Sequence, residues 1–231
     1  QGAPTHTVKI NNQEVTLTEG ETEKVPLDNG NGILNITVSP DASGGSISVS
    51  GFIEPADGMA IKTVKIGNND EPVDVGKRTK YEFSFNNVTD LSSLGDVNIT
   101  FAERKTVTVD TSTEDKGTIT VTFSNGPAIT QDTPIIEEDE LSVTVKAERG
   151  YKITSVTAGN ETYTLTSNDN SNEITVNFTV PAANSGMAAL FSSGSAEITV
   201  SAIFESASVV DDPNTWPLDD QNNLVAPSSL T

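Results

Sequence analysis

Residues 117–123 read Gly117-Thr118-Ile119-Thr120-Val121-Thr122-Phe123, with apolar side chains at Ile119, Val121 and Phe123 and threonines between them. Successive side chains of an extended chain point to opposite sides, so this period of two sets one face in a core and the other in water. The pattern recurs around it: Val107 and Val109 come before, and Leu141, Val143, Val145 and Ala147 follow. Further on are Ile174, Val176, Phe178 and Val180, then Ile198, Val200, Ala202 and Phe204. Such alternation belongs to half-buried antiparallel sheet, because parallel strands are covered on both faces and read as continuous apolar runs.

The first half carries the same pattern at Val8 and Ile10, Val15 and Leu17, Leu34, Ile36 and Val38, and Ile47 and Val49. Tyr81, Phe83 and Phe85, followed by Val97, Ile99 and Phe101, complete it. Turn-forming residues separate the runs, as in Asp28-Asn29-Gly30-Asn31-Gly32, Gly67-Asn68-Asn69-Asp70 and Ser124-Asn125-Gly126-Pro127. No helix of ordinary length is predicted; short helical turns are expected around Leu91 to Leu94 and Met187 to Phe191.

The two halves resemble each other. His6-Thr7-Val8-Lys9-Ile10 matches Lys105-Thr106-Val107-Thr108-Val109, and Ile61-Lys62-Thr63-Val64 leading to Gly67-Asn68 matches Ile153-Thr154-Ser155-Val156 leading to Gly159-Asn160. Each half also closes alike, with the run from Val97 to Glu103 set against that from Ile198 to Glu205. A repeat that keeps its order while its spacing drifts is one fold copied, with different loop insertions. The predicted architecture is therefore all-β: two tandem modules, residues 5–103 and 104–205, each an antiparallel β-sandwich (immunoglobulin-like) or a β-grasp-like fold, with little or no helix. Residues 206–231, with Pro213, Trp216, Pro217 and Pro227, lose the alternation and are expected to form a C-terminal tail.

The second half resembles the bacterial surface repeats related to the internalin B-repeat and the Listeria-Bacteroides repeat. The resemblance is carried by Lys105-Thr106-Val107-Thr108-Val109, by Gly117-Thr118-Ile119-Thr120-Val121, and by the acidic Glu137-Glu138-Asp139-Glu140 ahead of Leu141. It continues through Glu148-Arg149-Gly150-Tyr151-Lys152-Ile153, Phe178-Thr179-Val180-Pro181 and the closing run from Ile198 to Glu205. What it implies is an exported β-rich spacer or adhesive module at a bacterial cell surface, partnered by an extracellular protein or glycan. It brings no catalytic residues with it.

Composition narrows the chemistry. Thirteen Lys and Arg stand against 33 Asp and Glu, a formal charge of −20. Affinity for nucleic acid comes from neutralising phosphates with basic side chains, so nucleic acid is a poor partner, and an anionic membrane surface is disfavoured on the same grounds. No stretch approaches the roughly 18 to 20 apolar residues that span a bilayer, so no membrane insertion is expected. Without cysteine the chain has no disulfide, thiolate metal site or cysteine nucleophile. A Cys-free, Thr- and Ser-rich, Lys-poor chain fits a bacterial exported protein, and the opening Gln1-Gly2-Ala3-Pro4 reads as an end left after removal of a signal or anchor.

Few residues suit a site. His6 is the only histidine, set near one end, where a solvated strand-edge role is expected over catalysis. Carboxylate pairs such as Glu137 and Glu138 lack the aromatic-lined cleft of a glycosidase in a chain only 5% aromatic, so no enzyme is predicted. Calcium is the one reasonable ion, with Asp28, Asn29 and Asn31 as oxygen donors, although these residues also build ordinary turns. No other cofactor is expected. Trp216 and Tyr163 are the candidate ligand-binding aromatics, because most other aromatics fall on the apolar face of a strand.

Overall fold

A computed structural model describes residues 2–41, 44–124, 126–166, 169, 171–182 and 197–207. The fold is all-β and sandwich-like, and the chain divides into two compact units. The first comprises residues 1–104 together with Pro134–Ile136; the second comprises 105–133 and 137–231. Arg78 donates from Nη1 to the Pro134 carbonyl at 3.0 Å, and Ile136 is buried with Ala60 and Ala102.

The first unit contains β1 (Thr5–Ile10), β2 (Gln13–Thr18), β3 (Thr22–Leu27), β4 (Gly32–Pro40), β5 (Ile47–Pro55), β6 (Met59–Ile66), β7 (Asn69–Glu71), β8 (Tyr81–Val88) and β9 (Val97–Glu103). They form a five-stranded sheet in the order β2-β1-β9-β6-β7 and a four-stranded sheet in the order β3-β4-β5-β8. Inward residues of both sheets make one core, with Ile10, Leu17, Ile61 and Ile99 from the first and Leu27, Leu34, Val38 and Ile53 from the second. Leu91, in a 3-10 turn over Leu91–Leu94, joins that core. The turn starts where the Asp90 side chain accepts from the Ser92 N–H, an Asx-type cap.

The second unit contains β10 (Thr106–Val109), β11 (Gly117–Phe123), β12 (Glu140–Ala147), β13 (Tyr151–Ala158), β14 (Glu161–Thr164), β15 (Glu173–Thr179) and β16 (Glu197–Ser206). Its sheets run β10-β16-β13-β14 and β11-β12-β15. Leu141, Val143, Val145, Val200 and Phe204 are buried, as the alternation predicts; Ile153 and Val156 are buried too, three residues apart because the bulge between Ile153 and Ser155 breaks the period of two.

Strand for strand, the second unit repeats the first: β10, β16, β13 and β14 stand as β1, β9, β6 and β7 do, and β11, β12 and β15 as β4, β5 and β8 do. The equivalence extends to individual hydrogen bonds. Asn11 N–H donates to Val97 O and Asp110 N–H to Val200 O, both at 2.8 Å. Gly67 N–H to Asp96 O is matched by Gly159 N–H to Thr199 O, and Arg104 N–H to Gly58 O by Ala207 N–H to Gly150 O. Even the bulges coincide, with the β6–β9 register shifting between Ile61 and Thr63 and the β13–β16 register between Ile153 and Ser155. A bulge increases twist and bends its strand, so placing it identically gives both sheets the same local bend.

In each unit the first and last strands are parallel, while the remaining paired strands are antiparallel. β1 meets β9 at Ile10↔Val97, and β10 meets β16 over Thr106↔Glu197 to Val109↔Val200. These pairings equate Val97 with Val200, so the closing runs align further along than the apolar pattern suggests. β16 begins three residues earlier than β9 relative to that equivalence, and those residues pair with β10.

One difference separates the copies. Residues 110–116 lead from β10 straight to β11, whereas residues 11–31 of the first unit carry β2 and β3 on the way to β4. β3 holds Pro26, which donates no hydrogen bond, and it lies at the edge of its sheet, where a proline is tolerated.

A glycine beneath an aromatic ring also occurs twice. A Cβ on Gly32 would fall within the ring of Phe101 from the facing sheet and 2.9 Å from the Glu54 carbonyl. A Cβ on Gly117 would meet the Phe204 ring in the same way, 2.6 Å from the Lys146 carbonyl.

Candidate functional site

The outward face of the β3-β4-β5-β8 sheet carries two rows of cross-strand neighbours. One row is Lys24, Asn35, Phe52 and Glu82; the next is Thr22, Thr37, Ser50 and Ser84. Alternation dictates this placement, since Leu34, Ile36, Val49 and Ile53 beside them point into the core. Between the rows lies an open groove of about 510 Å³, lined by Asn35, Thr37, Ser50, Phe52, Glu82 and Ser84 among others.

Asn35 is the unusual member. It is only 6% exposed, yet its side-chain amide has no hydrogen-bond partner among the described residues. Leaving a buried polar group unsatisfied costs about 1–3 kcal/mol, and most such groups in folded proteins are paired. Its neighbours have partners: Thr22 and Thr37 share a hydroxyl bond of 2.7 Å, and Lys80 pairs with Glu82 at 2.7 Å. The same ammonium lies 4.7 Å from the centre of the Phe52 ring, and the Glu82 hydrogen bond raises the Lys80 pKa. The groove thus offers an amide able to donate and accept, several hydroxyls, an ion pair and an aromatic surface.

The residues singled out from sequence lie elsewhere. Tyr163 is in β14, 42% exposed, beside a smaller hollow of about 150 Å³. Its hydroxyl donates to Asp169 Oδ1 at 2.9 Å, and Asp169 also accepts from the Thr166 N–H and hydroxyl. That hydrogen bond raises the Tyr163 pKa, while the Thr166 N–H, followed by the Tyr163 hydroxyl, lowers that of Asp169. Trp216 and the segment from Met187 to Phe191 lie outside the described residues.

Asp28 and Asn29 have φ of 45° and 56° and form a 3-10 turn into β4. The Asn31 side-chain N–H donates to Asp28 Oδ2 at 3.1 Å, and its backbone N–H donates to the Asp28 carbonyl at 3.2 Å. The second unit makes the equivalent backbone bond from Lys116 to Thr113, with Thr113, Glu114 and Lys116 where the first has Asp28, Asn29 and Asn31, so the turn forms without those residues at those positions. Among the described residues no three or more His, Cys, Asp or Glu cluster so as to hold a metal ion. No helix of the described residues is long and apolar enough to cross a membrane.

His6 is tied in by a side chain and not merely solvated: its Nε2 lies 2.9 Å from Glu19 Oε1 with the side chain 20% exposed. On β1 it pairs with Leu17 of β2, whereas β9 meets β1 only at Ile10↔Val97, so His6 keeps the strand-edge position expected of it.

The signal for Asn35 in the sequence is faint. Leu34-Asn35-Ile36 is an ordinary alternation with a polar outward residue, and its cross-strand neighbours, Lys24 and Phe52, are not adjacent to it in the sequence. Compared with known proteins, the chain matches no family model, no curated protein and no solved structure.

Proposed function

We propose that this chain is a non-catalytic, load-bearing module, structural or adhesive, of an exported bacterial cell-surface protein. The observation that supports this reading is the parallel pairing of first and last strands, over four residue pairs in the second unit and at Ile10↔Val97 in the first. Tension applied between the two ends of such a unit pulls the paired strands past each other, so their hydrogen bonds resist together. An antiparallel terminal pair would instead open one bond at a time. The duplicated sandwich fits a protein built by repeating a module, and the resemblance of the second half to bacterial surface repeats, together with the Cys-free composition, favours an extracellular setting.

Single-molecule pulling tests the reading. The second unit is expected to resist force better when pulled through residues flanking β10 and β16 than when β10 is peeled away from one end. Asp110 N–H bonds Val200 O, so by two-residue alternation the Thr108 N–H also faces β16, and Thr108→Pro should lower the unfolding force. Equal forces in the two geometries would sink the load-bearing role. In the producing cell, protease added outside intact cells is expected to remove the chain; complete protection until lysis would sink the surface location.

A second reading, carbohydrate binding, is favoured by the groove around Asn35.

A further inference from the structure

We propose that the groove on the outward face of the β3-β4-β5-β8 sheet is a binding site for a neutral saccharide, oriented by the side-chain amide of Asn35. Asn35 lines the groove, is more than nine-tenths buried, and has no hydrogen-bond partner among the described residues. An amide carries both donors and an acceptor, so the ligand group that completes it must both accept and donate. A sugar hydroxyl does both.

The remaining lining narrows the class. Thr37, Ser50 and Ser84 lie side by side along the neighbouring row, a hydroxyl track suited to a polyol and poorly suited to an apolar ligand. Phe52, half-buried on the same face, supplies apolar surface for the C–H face of a sugar ring where the Lys80 ammonium does not cover it. Anionic ligands are disfavoured by the Glu82 carboxylate in the groove and by the chain's charge of −20. Cations gain little, because Glu82 is already paired with Lys80. At about 510 Å³ the groove falls in the range of small-ligand sites, and its openness suits part of a longer chain of sugar units.

Asn35 also makes a distinctive experiment available. If the amide serves a ligand, Asn35→Val removes a buried group that no described residue partners and leaves a β-branched residue in a strand, so the free protein keeps or gains stability as binding is lost. A residue kept only for stability would not show that trade.

The test is a glycan-array screen on the full chain, followed by calorimetric titration of the best neutral oligosaccharide. Expected are binding by the native chain, at least a tenfold loss in Asn35→Val, and an unfolding temperature in that variant equal to or above the native one. Phe52→Ala, an outward substitution that spares the core, is the second variant and should weaken binding at least fivefold, which keeps the test decisive if Asn35→Val fails to fold. The proposal is overturned if the native chain binds no neutral saccharide at millimolar concentration. It is equally overturned if affinity is unchanged in both variants, or if acidic glycans or peptides alone occupy the groove. The inference goes beyond the load-bearing role and does not rest on it, since pulling and titration fail independently.

Discussion

The side chain of Asn11 stands beside Ile99 as a peptide group would: Nδ2 donates to the Ile99 carbonyl at 2.9 Å and Oδ1 accepts from the Ile99 N–H at 2.7 Å. The backbone has already turned there, with φ of 45° at Asn11, so the amide carries the parallel pairing of β1 and β9 one step beyond Ile10↔Val97. Asp110, its counterpart, lacks an amide donor and turns its carboxylate back to accept from the Ser112 N–H, the contact that lowers its pKa.

Asn11→Ala removes both bonds and leaves a Cβ-bearing residue at positive φ without local compensation. A destabilisation of about 2–3 kcal/mol is expected. Asn12, at φ of 65°, is the control: Asn12→Ala carries the backbone strain alone and should cost about 1 kcal/mol. Urea titration of both variants, with unchanged slope, measures the difference; equal losses would show that the Asn11 amide contributes nothing.

Gly32→Ala and Gly117→Ala each push a methyl group into an aromatic ring and towards a carbonyl, and about 1–3 kcal/mol of overpacking is expected in each unit. Because ring and glycine touch, trimming Phe101 to Leu should cost less in the Gly32→Ala background than in the native one. Additive losses in the double-mutant cycle would refute the packing account.

Asp41 holds the β4–β5 loop to β8, accepting from Ser48 Oγ at 2.7 Å, Asn87 N–H at 3.0 Å and Ser46 Oγ at 3.1 Å. The Ser48 bond, then the Asn87 bond, lower its pKa. A depressed folded pKa gives stability that is present above the unfolded value of about 3.9 and lost as pH falls through the folded one. The gap in unfolding midpoint between the native chain and Asp41→Ala should therefore be full at neutral pH and shrink below about pH 4. Comparing the two cancels the relief of charge repulsion that acid brings to this strongly negative chain. A gap constant with pH would rule out an ionised hub.

Tyr163 ionises above the usual tyrosine value of about 10, because its proton is held by Asp169. Replacing Asp169 with Asn should bring the transition in ultraviolet absorbance down towards that value. If the transition did not move, the pairing would be absent in solution.

The alternation located β11, β12, β15 and β16 because every second side chain there enters a core, and that is a local property of the chain. β3 escaped it: Pro26 interrupts the pattern, and nothing within Thr22–Leu27 announces that an edge position makes a proline acceptable. The repeat was legible in order but not in register, since the equivalence of Val97 with Val200 depends on which strand lies alongside. Asn35 was illegible for the same reason, its burial and lack of a partner coming from neighbours on other strands. Tyr163 was visible as an exposed aromatic, but its hydroxyl's engagement with Asp169 was not.

The ring of Phe101 rests on bare backbone at Gly32, and that of Phe204 on Gly117. The glycine cannot enlarge without a clash and the ring cannot shrink without a void, so each pair forms one packing unit of two distant positions. Among descendants of this sequence the aromatic and the glycine should be replaced together or not at all, a coupled substitution that marks the point where the two sheets of each sandwich close.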